Sequence, residues 1–146
     1  MPSFHAACVA LGDAGILIRG PSGSGKSSLA VLLAAEPDGA LVADDRVICE
    51  RHADSLVARP HETLAGQVEI RGQGILSAAD LDLRLRLETV LHLVADLVTD
   101  APRLPEPPEA AEILGLRLPR LVLDRGVRRA GLATLLIRAA LRKGKP

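Results

Sequence analysis

Aromatic side chains are nearly absent from this 146-residue chain, which contains one Phe and neither Trp nor Tyr. Stacking of nucleic-acid bases on aromatic platforms is therefore excluded as a mode of binding. Neither charge predominates, because 18 Lys and Arg residues are balanced by 18 Asp and Glu residues. This balance gives no support to a nucleic-acid or membrane-surface partner, and we expect neither.

Cysteine and long apolar runs are also scarce. The only cysteines, Cys8 and Cys49, are too few for a disulfide framework or a zinc site, and we expect both in the core. No targeting segment is recognisable, and no run approaches the roughly 18 apolar residues of a membrane span. Apolar residues still make up 48% of the chain. We therefore expect a single domain, residues 1–146, of a soluble cytoplasmic protein.

The most informative stretch present is Gly-Pro-Ser-Gly-Ser-Gly-Lys-Ser at residues 20–27. It fits G-x-x-x-x-G-K-[ST], the phosphate-binding loop of nucleoside triphosphatases and kinases. A strand pattern precedes it at residues 15–18, and a helical pattern follows at 28–35, which is the context that the motif requires. The predicted nucleotide contacts are Gly20, Pro21, Ser22, Gly23, Ser24, Gly25, Lys26, Ser27 and Ser28. Of these, Lys26 would reach the β- and γ-phosphates, and Ser27 a bound Mg²⁺.

Three apolar strand patterns end in an acid. The first, at residues 40–45, ends in the pair Asp44 and Asp45, whereas the other two end in Asp96 and Asp124. In phosphate-loop enzymes such an acid holds Mg²⁺ or handles the proton of the nucleophile. The structural alternative is an Asp that merely begins a turn. Because only the first pattern has a doubled acid and lies close to the loop helix, we expect Asp44 in the active site.

Two further patterns bear on the site. Residues 5–11 resemble a strand that forms a hairpin with the loop-bearing strand, which would bring His5 close to the phosphate loop. Residues 64–75 place Glu69 and Arg71 on one face of a strand that runs into two glycines, where a backbone can approach another group closely. The alternative for this pair is the wet face of an edge strand.

The rest of the chain predicts a partly antiparallel sheet. Strand patterns at residues 46–50 and 55–58 follow each other without a helix, and residues 81–87 alternate strictly. Residues 101–108 contain four prolines and are expected to form a surface connection. The chain should end in an amphipathic helix whose apolar face is formed by Leu132, Leu135, Leu136, Ala139 and Ala140.

Together, His5, the loop at 20–27, Val-Ala-Asp-Asp at 42–45 and Val-Glu-Ile-Arg-Gly-Gln-Gly-Ile at 68–75 resemble the catalytic domain of the HPr kinase/phosphorylase family. All four parts occur in the family's order over about residues 5–76. The resemblance implies an α/β P-loop fold of the kind shared with phosphoenolpyruvate carboxykinase, with a mixed sheet and flanking helices.

The resemblance also implies an activity. A member of this family transfers the γ-phosphoryl group of ATP to a serine of HPr, the phosphocarrier of the bacterial phosphotransferase system, and many members also run phosphorolysis of the seryl phosphate. By position, Asp44 would be the acid/base, supported by Asp45 and His5, while Ser27 and Glu69 would serve Mg²⁺. A homo-oligomer, a hexamer in the family, is implied as well.

Two departures from the family pattern are visible. Longer relatives carry an N-terminal domain, whereas here the first catalytic strand begins close to Met1, so we expect regulation through that domain to be lost. The later basic segment of long relatives has no clear counterpart, and the nearby candidates are Arg125, Arg128 and Arg129. Its loss would weaken phosphorolysis more than kinase activity.

Two alternatives remain open from the residues. A small-molecule kinase could use the same loop and Asp44 on a hydroxylated metabolite. A nucleotide-gated module could bind ATP and Mg²⁺ without turnover, although a doubled acid beside an intact Lys-Ser loop argues against a pure binder.

Overall fold

The computed structural model of the chain describes residues 2–62 and 65–144. Met1, Lys145 and Pro146, at the ends of the predicted domain, lie outside the described residues, as does Leu64, the first residue of the stretch at 64–75. In chain order the strands are β1 (Ser3–Phe4), β2 (Ala7–Leu11), β3 (Ala14–Arg19), β4 (Gly39–Ala43), β5 (Val47–His52), β6 (Ser55–Pro60), β7 (Gln67–Ile70), β8 (Gly74–Ser77), β9 (Thr89–Leu97), β10 (Ala111–Ile113), β11 (Leu116–Leu118) and β12 (Arg120–Leu123). The helices are α1 (Lys26–Ala34), α2 (Arg125–Arg129) and α3 (Ala133–Lys143).

The main sheet is mixed, as predicted. Its strand order is β1-β5-β6-β9-β3-β2-β4, and β12 also pairs with β9. β3 and β12 are each parallel to β9, whereas β2 is antiparallel to both β3 and β4. The strands β3, β4, β9 and β12 therefore all point the same way, and their carboxyl ends lie along one edge of the sheet. The residues that follow these strands are brought together at that edge.

The predicted hairpin is present, with Ala7 of β2 opposite Ile18 of β3 and Leu11 opposite Ala14. The first strand differs from the prediction, because β2 begins at Ala7 rather than at His5. Residues 3–4 instead form β1, which pairs with β5 on the far side of the sheet. His5 thus lies in the connection before β2, at the same edge as the carboxyl ends of β3 and β4.

Strands β2, β3 and β4 are buried on both faces, which explains their nearly continuous apolar sequences. One face packs against α1, α3 and β7, and the other against the β10–β11 hairpin. Cys8 and Cys49 are free thiols buried in the second cluster, as expected. Burial raises the pKa of the Cys49 thiol to about 11, so this thiol is unreactive at neutral pH.

The strand suggested by alternation at residues 81–87 is wrong. Only Leu85 forms a bridge there, parallel to Leu41 at the edge of the sheet. Two backbone hydrogen bonds tie the segment to Leu41, and the side chains of Arg84 and Arg86 donate to the carbonyls of Pro37 and Gly12. The alternation therefore reflects arginines that hold an irregular segment along β4, rather than a paired strand.

The terminal helix is present, but the predicted apolar face is wrong. α3 buries Ala133 and Ile137, whereas Leu135 is 66% exposed. Ile137 packs fully buried in the core, and beside it the guanidinium of Arg138 donates to Asp38 Oδ1 at 2.8 Å and to Glu36 Oε1 at 3.2 Å. No helix in the two described ranges is long and apolar enough to cross a membrane.

Candidate active site

The phosphate loop connects the end of β3 to the first turn of α1. Gly23 and Gly25 have φ values of 81° and 93°, in the left-handed region that favours glycine, and Gly25 is the N-cap of α1. Gly20 is required for a different reason. A Cβ at this position would lie 2.6 Å from Ser24 Oγ and 3.1 Å from Leu97 Cβ, so a larger residue would push the loop off the sheet.

Lys26 is folded over this loop. Its Nζ donates to the carbonyl oxygens of Gly20 at 2.6 Å and Pro21 at 3.1 Å, and the residue is only 8% exposed. The first residues of the loop therefore act through their carbonyls, which fix the position of the ammonium group. That group lies beside the free N–H groups at the start of α1, where an anion is favoured.

Asp44 is adjacent to Ser27, because β4 ends at Ala43 beside the start of α1. Ser27 Oγ donates to both carboxylate oxygens of Asp44 at 2.8 Å, and the backbone N–H of Glu69 donates to Oδ2 at 3.3 Å. Asp44 is 4% exposed. Burial raises the pKa of its carboxyl above the ordinary value, although these hydrogen bonds act in the opposite direction.

Asp45 lies at the open side of the same edge. It has a φ of 68°, which turns the chain sharply after the buried Asp44, and its side chain is mostly exposed. His5 Nδ1 is 3.2 Å from Asp45 Oδ1, so the hairpin does bring His5 to the carboxylate pair, as the sequence predicts. The two residues form a polar rim around the buried Ser27–Asp44 pair.

These groups surround one cleft with a volume of about 450 Å³. Its lining consists of His5, Ser22, Gly23, Gly25, Lys26, Ser27, Ser28, Asp44, Asp45, Glu69 and Arg71. Most of the predicted site residues therefore converge on one cleft. Gly20, Pro21 and Ser24 do not line it: the first two hold Lys26, and the Ser24 hydroxyl is buried beneath the loop.

Arg71 lines the cleft, although the sequence analysis assigns it no contact with nucleotide or metal. It follows β7, and its guanidinium Nη1 is 4.0 Å from the position that a Cβ on Gly23 would take. The sequence feature that could have indicated this position is the spacing of two residues between Arg71 and Glu69. This spacing predicts that both lie on one face of a strand, but it does not predict a ligand. The structure adds a positive charge to the lining of the cleft, beside Gly23 of the phosphate loop.

The other strand-end acids have structural roles. Asp96 accepts from Arg19 Nε at 2.7 Å and from Arg120 Nε at 2.5 Å, which ties β9 to both of its parallel neighbours. Asp124 caps α2 by accepting from the N–H of Val127 at 2.8 Å. Neither residue lines the cleft.

The arginines of α2 do not reach the cleft either. Arg128 Nη1 donates to the carbonyl oxygen of Val98 at 2.8 Å and to that of Leu123 at 2.5 Å, so it holds α2 against the ends of β9 and β12. Arg125 and Arg129 are exposed. None of these three arginines therefore contributes a charge to the lining of the cleft.

Residues 1–144 match the family model for the HPr Serine kinase C-terminal domain. The chain belongs to this family.

Relatives over most of the chain are consistent with the assignment. The HPr kinase/phosphorylase of Aromatoleum aromaticum is 36% identical over 130 residues, which cover 83% of this chain and 41% of that protein. The protein of the same name from Chlorobium chlorochromatii is 34% identical over 129 residues, which cover 82% of this chain and 38% of the relative. The chain thus spans about two fifths of the length of these relatives.

A solved structure confirms the fold. The HPr(Ser) kinase/phosphatase from Coxiella burnetii superposes with a TM-score of 0.83 at 26% sequence identity, covering 98% of this chain and 92% of that one. The predicted α/β fold of the P-loop kind, with its mixed sheet and flanking helices, is therefore confirmed.

Proposed function

We propose that this chain is the catalytic domain of an ATP-dependent protein serine kinase that phosphorylates a phosphocarrier of the HPr type. The observation that carries the proposal is one cleft that contains an intact phosphate loop, the buried Ser27–Asp44 pair and the Asp45–His5 rim. Membership of the HPr serine kinase family supports the acceptor, because the relatives are named for HPr.

In this proposal the triphosphate of ATP lies along the loop. The N–H groups of Ser22, Gly23 and Gly25 and of the first turn of α1 would donate to phosphate oxygens, since glycine-rich loops at helix N-termini bind anions in this way. The N–H of Ser24 instead donates to the carbonyl oxygen of Pro21 at 3.1 Å and holds the turn of the loop. Lys26 is held by two carbonyls and retains a further ammonium proton for the β- and γ-phosphates. Arg71 would supply a second cation for the phosphates, near Gly23.

The donor set of the cleft fits Mg²⁺. This ion prefers oxygen ligands and is usually bound by one or two carboxylates together with substrate phosphates. Ser27 Oγ and Asp44 are already in contact, and Glu69 is exposed in the same cleft. We therefore assign Ser27 and Glu69 to the ion, which when bound would neutralise charge on the phosphates.

Asp44 would accept the proton of the attacking serine. A serine hydroxyl is a poor nucleophile at neutral pH, and a positioned carboxylate removes its proton as the new bond to phosphorus forms. Asp44 is held by Ser27 and by the Glu69 N–H, so its orientation is fixed before any substrate binds. Asp45 and His5, at the rim, would face the incoming acceptor and support Asp44 electrostatically.

Four further parts belong to the same proposal. Residues 1–146 would form a single catalytic domain, act in the cytoplasm, and assemble into a homo-oligomer such as a hexamer, which sedimentation velocity would measure. The reverse reaction, phosphorolysis of seryl phosphate, would be weaker than kinase activity, because Arg125, Arg128 and Arg129 stay outside the cleft.

The test is transfer of labelled γ-phosphate from ATP to purified HPr in the presence of Mg²⁺. We expect a labelled HPr band whose label is lost when the acceptor serine is replaced by alanine. The matched control is Lys26→Ala, which should abolish transfer because its charge holds the γ-phosphate during the reaction, while the fold survives.

Three results would overturn the proposal. Turnover of ATP only with a hydroxylated metabolite, without labelled HPr, would indicate a small-molecule kinase. Binding of ATP and Mg²⁺ without turnover on any acceptor would indicate a nucleotide-sensing module. Unchanged turnover in a folded Lys26→Ala variant would remove the phosphate loop from the mechanism altogether.

A further inference from the structure

A second, smaller cavity adjoins the cleft on the far side of Ser28. It has a volume of about 140 Å³ and lies between α1 and the start of α3. Ser28 lines both cavities, so the two spaces meet at the N-terminal turn of α1. The remaining walls include Leu29 and Leu32 from α1, and Arg128, Ala133 and Thr134 from the other side. We call this space the α1–α3 groove.

The position of the groove follows the expected path of a nucleotide. Lys26 and the Ser27–Asp44 pair mark the end of the cleft where the terminal phosphate is held. A nucleoside attached to the other end of the triphosphate must leave the loop away from Asp44. Ser28 is the next residue along α1 after Ser27, and the groove opens beyond it without contacting Asp44.

The walls of the groove suit a flat, apolar ring. Leu29 is buried and Leu32 is 64% exposed, so one side is a leucine surface open to a ligand. On the other side, Arg128 is held by the carbonyls of Val98 and Leu123, which fixes its planar guanidinium group. Arginine planes and apolar side chains can stack on a base where aromatic rings are lacking.

No aromatic residue competes for this role. The only aromatic side chain, Phe4, packs against the core cluster on the opposite face of the sheet. Its volume of about 140 Å³ is close to that of a cavity of about 150 Å³ that holds a benzene ring, so the groove can enclose one ring of a purine while the other ring lies toward the open side at Leu32. At its end, Thr134 contributes a hydroxyl, and no side chain caps the first turn of α3, whose N–H groups keep their donor capacity.

We propose that the α1–α3 groove is the nucleoside subsite, which takes the purine base of the nucleoside triphosphate whose phosphates lie in the cleft. This inference rests on the proposed use of ATP and adds the residues that recognise its base. Leu29 and Leu32 form one wall for the ring, the guanidinium of Arg128 forms the other, and Thr134 lies beside the edge of the ring.

The experiment compares two ligands in two groove variants. ATP carries a base, whereas inorganic tripolyphosphate offers the same phosphates without one. Leu32→Ala removes part of the leucine wall, and Thr134→Trp fills the groove. The matched control is Leu135→Ala, because Leu135 is 66% exposed, close to the 64% of Leu32, but does not line the groove.

We expect Leu32→Ala to weaken ATP binding about 5- to 10-fold. This is less than the roughly 10- to 200-fold effect of one methylene in an enclosed apolar pocket, because Leu32 is 64% exposed. Thr134→Trp should weaken ATP binding more than about 10-fold by occluding the ring. Binding of tripolyphosphate should stay within about twofold of wild type in both variants, and Leu135→Ala should leave both ligands unchanged. Isothermal titration of each folded variant, with Mg²⁺ present, measures these constants.

Three outcomes would overturn the inference. Equal loss of ATP and tripolyphosphate binding would show that the groove residues act on the phosphate loop and do not touch the base. Unchanged ATP binding in both variants would place the base elsewhere, with phosphate binding intact. If the wild type bound tripolyphosphate but gained nothing from the nucleoside, the base would have no subsite, although the phosphate loop would stand. If the wild type bound neither ligand, the proposed function would fall first.

Discussion

Asp44 and Asp96 are two buried aspartates at the same edge of one sheet, and they lie in opposite electrostatic environments. Both follow apolar strand sequences, and they are 4% and 8% exposed. Asp44 receives hydrogen bonds from a hydroxyl and a backbone N–H, both neutral. Asp96 receives them from two guanidinium groups. Burial alone would raise both pKa values, but the two arginines lower that of Asp96 below its ordinary value, whereas the pKa of Asp44 is raised.

This difference distinguishes Asp44, a candidate for ligand binding, from Asp96, which stabilises the sheet. The charge of Asp96 is fully compensated, so the residue holds three parallel strands together and has no capacity for a ligand. The charge of Asp44 has no cation within its hydrogen bonds, and it borders an open cleft. A buried carboxylate without a cation is costly, and such groups occur where a metal ion, a proton or a substrate completes the arrangement.

The largest expected effect is the loss of phosphoryl transfer when the carboxylate of Asp44 is removed. Asp44→Asn should reduce phosphorylation of HPr by about 10²- to 10⁴-fold, because asparagine keeps the shape but cannot accept the serine proton. ATP affinity should change far less, since the loop and Lys26 make most triphosphate contacts. Initial rates with labelled ATP and a separate binding titration measure the two quantities.

Two results would contradict this role for Asp44. If ATP binding in the presence of Mg²⁺ collapsed together with transfer, Asp44 would be a metal ligand first, and the base would have to be sought in Asp45. If transfer were unaffected, the doubled acid would be a turn and not a catalytic pair.

The next largest effect is a loss of folding stability when the carboxylate of Asp96 is removed. Asp96→Asn leaves Arg19 and Arg120 without a counter-charge. Removing one partner of a buried ion pair costs about 3–5 kcal/mol, and because these arginines are 35% and 30% exposed we expect a smaller loss of about 2–3 kcal/mol. Urea unfolding measures it. A loss below about 0.5 kcal/mol would mean that solvent already screens the cluster.

The stability difference between wild type and Asp96→Asn should also depend on pH, because Asp96 has a lowered pKa. The folded pKa of Asp96 lies below the value of about 3.9 for an unfolded aspartate, so its ionised form stabilises the fold at every pH above that value. The stability difference between wild type and Asp96→Asn should therefore be constant from pH 6 to 8. It should shrink as the pH falls below about 4 and the carboxyl becomes protonated. A difference that grew on acidification would contradict the lowered pKa.

Features of the fold and the site could be predicted from the sequence when the residues that form them are close together along the chain. The loop at 20–27 and the β2–β3 hairpin are encoded by neighbouring residues, so motif and periodicity were enough to place His5, Lys26 and Asp44 correctly at one edge. The structural roles of Asp96 and Asp124, which end the two other apolar strand patterns, could not be predicted in this way. Arg19 is separated from Asp96 by 77 positions, and no local pattern indicates that they form an ion pair.

The same limit explains the two errors in the fold. The leucines of α3 predict its apolar face, but the helix instead buries Ala133 and Ile137, and Arg138 pairs with Asp38, 100 positions earlier. Alternation at 81–87 was misread because its arginines bond to distant carbonyls. Sequence periodicity shows that a segment is amphipathic, but which of its residues face the core depends on packing against residues far along the chain.

A smaller effect is expected at Glu69. If this exposed carboxylate serves Mg²⁺, Glu69→Gln should reduce activity at low Mg²⁺ and recover part of it at high Mg²⁺. Its stability should stay within about ±0.5 kcal/mol, because a surface side chain makes few contacts. The Mg²⁺ dependence of HPr phosphorylation is the measurement. If the variant showed wild-type kinetics at all Mg²⁺ concentrations, Glu69 would be only a solvent-exposed residue of an edge strand.

The smallest effect tests whether burial, rather than pairing alone, distinguishes Asp96. Asp38 is also bonded to an arginine, and the hydrogen bond from Arg138 lowers its pKa. Its side chain, however, is 47% exposed. Exposed ion pairs contribute about 0–1 kcal/mol, because water screens the charges and both side chains lose freedom. Asp38→Asn should therefore cost less than about 1 kcal/mol in urea unfolding, with Asp96→Asn measured in parallel. Equal losses in the two variants would mean that the orientation of α3 depends on Arg138 as strongly as the sheet edge depends on Asp96.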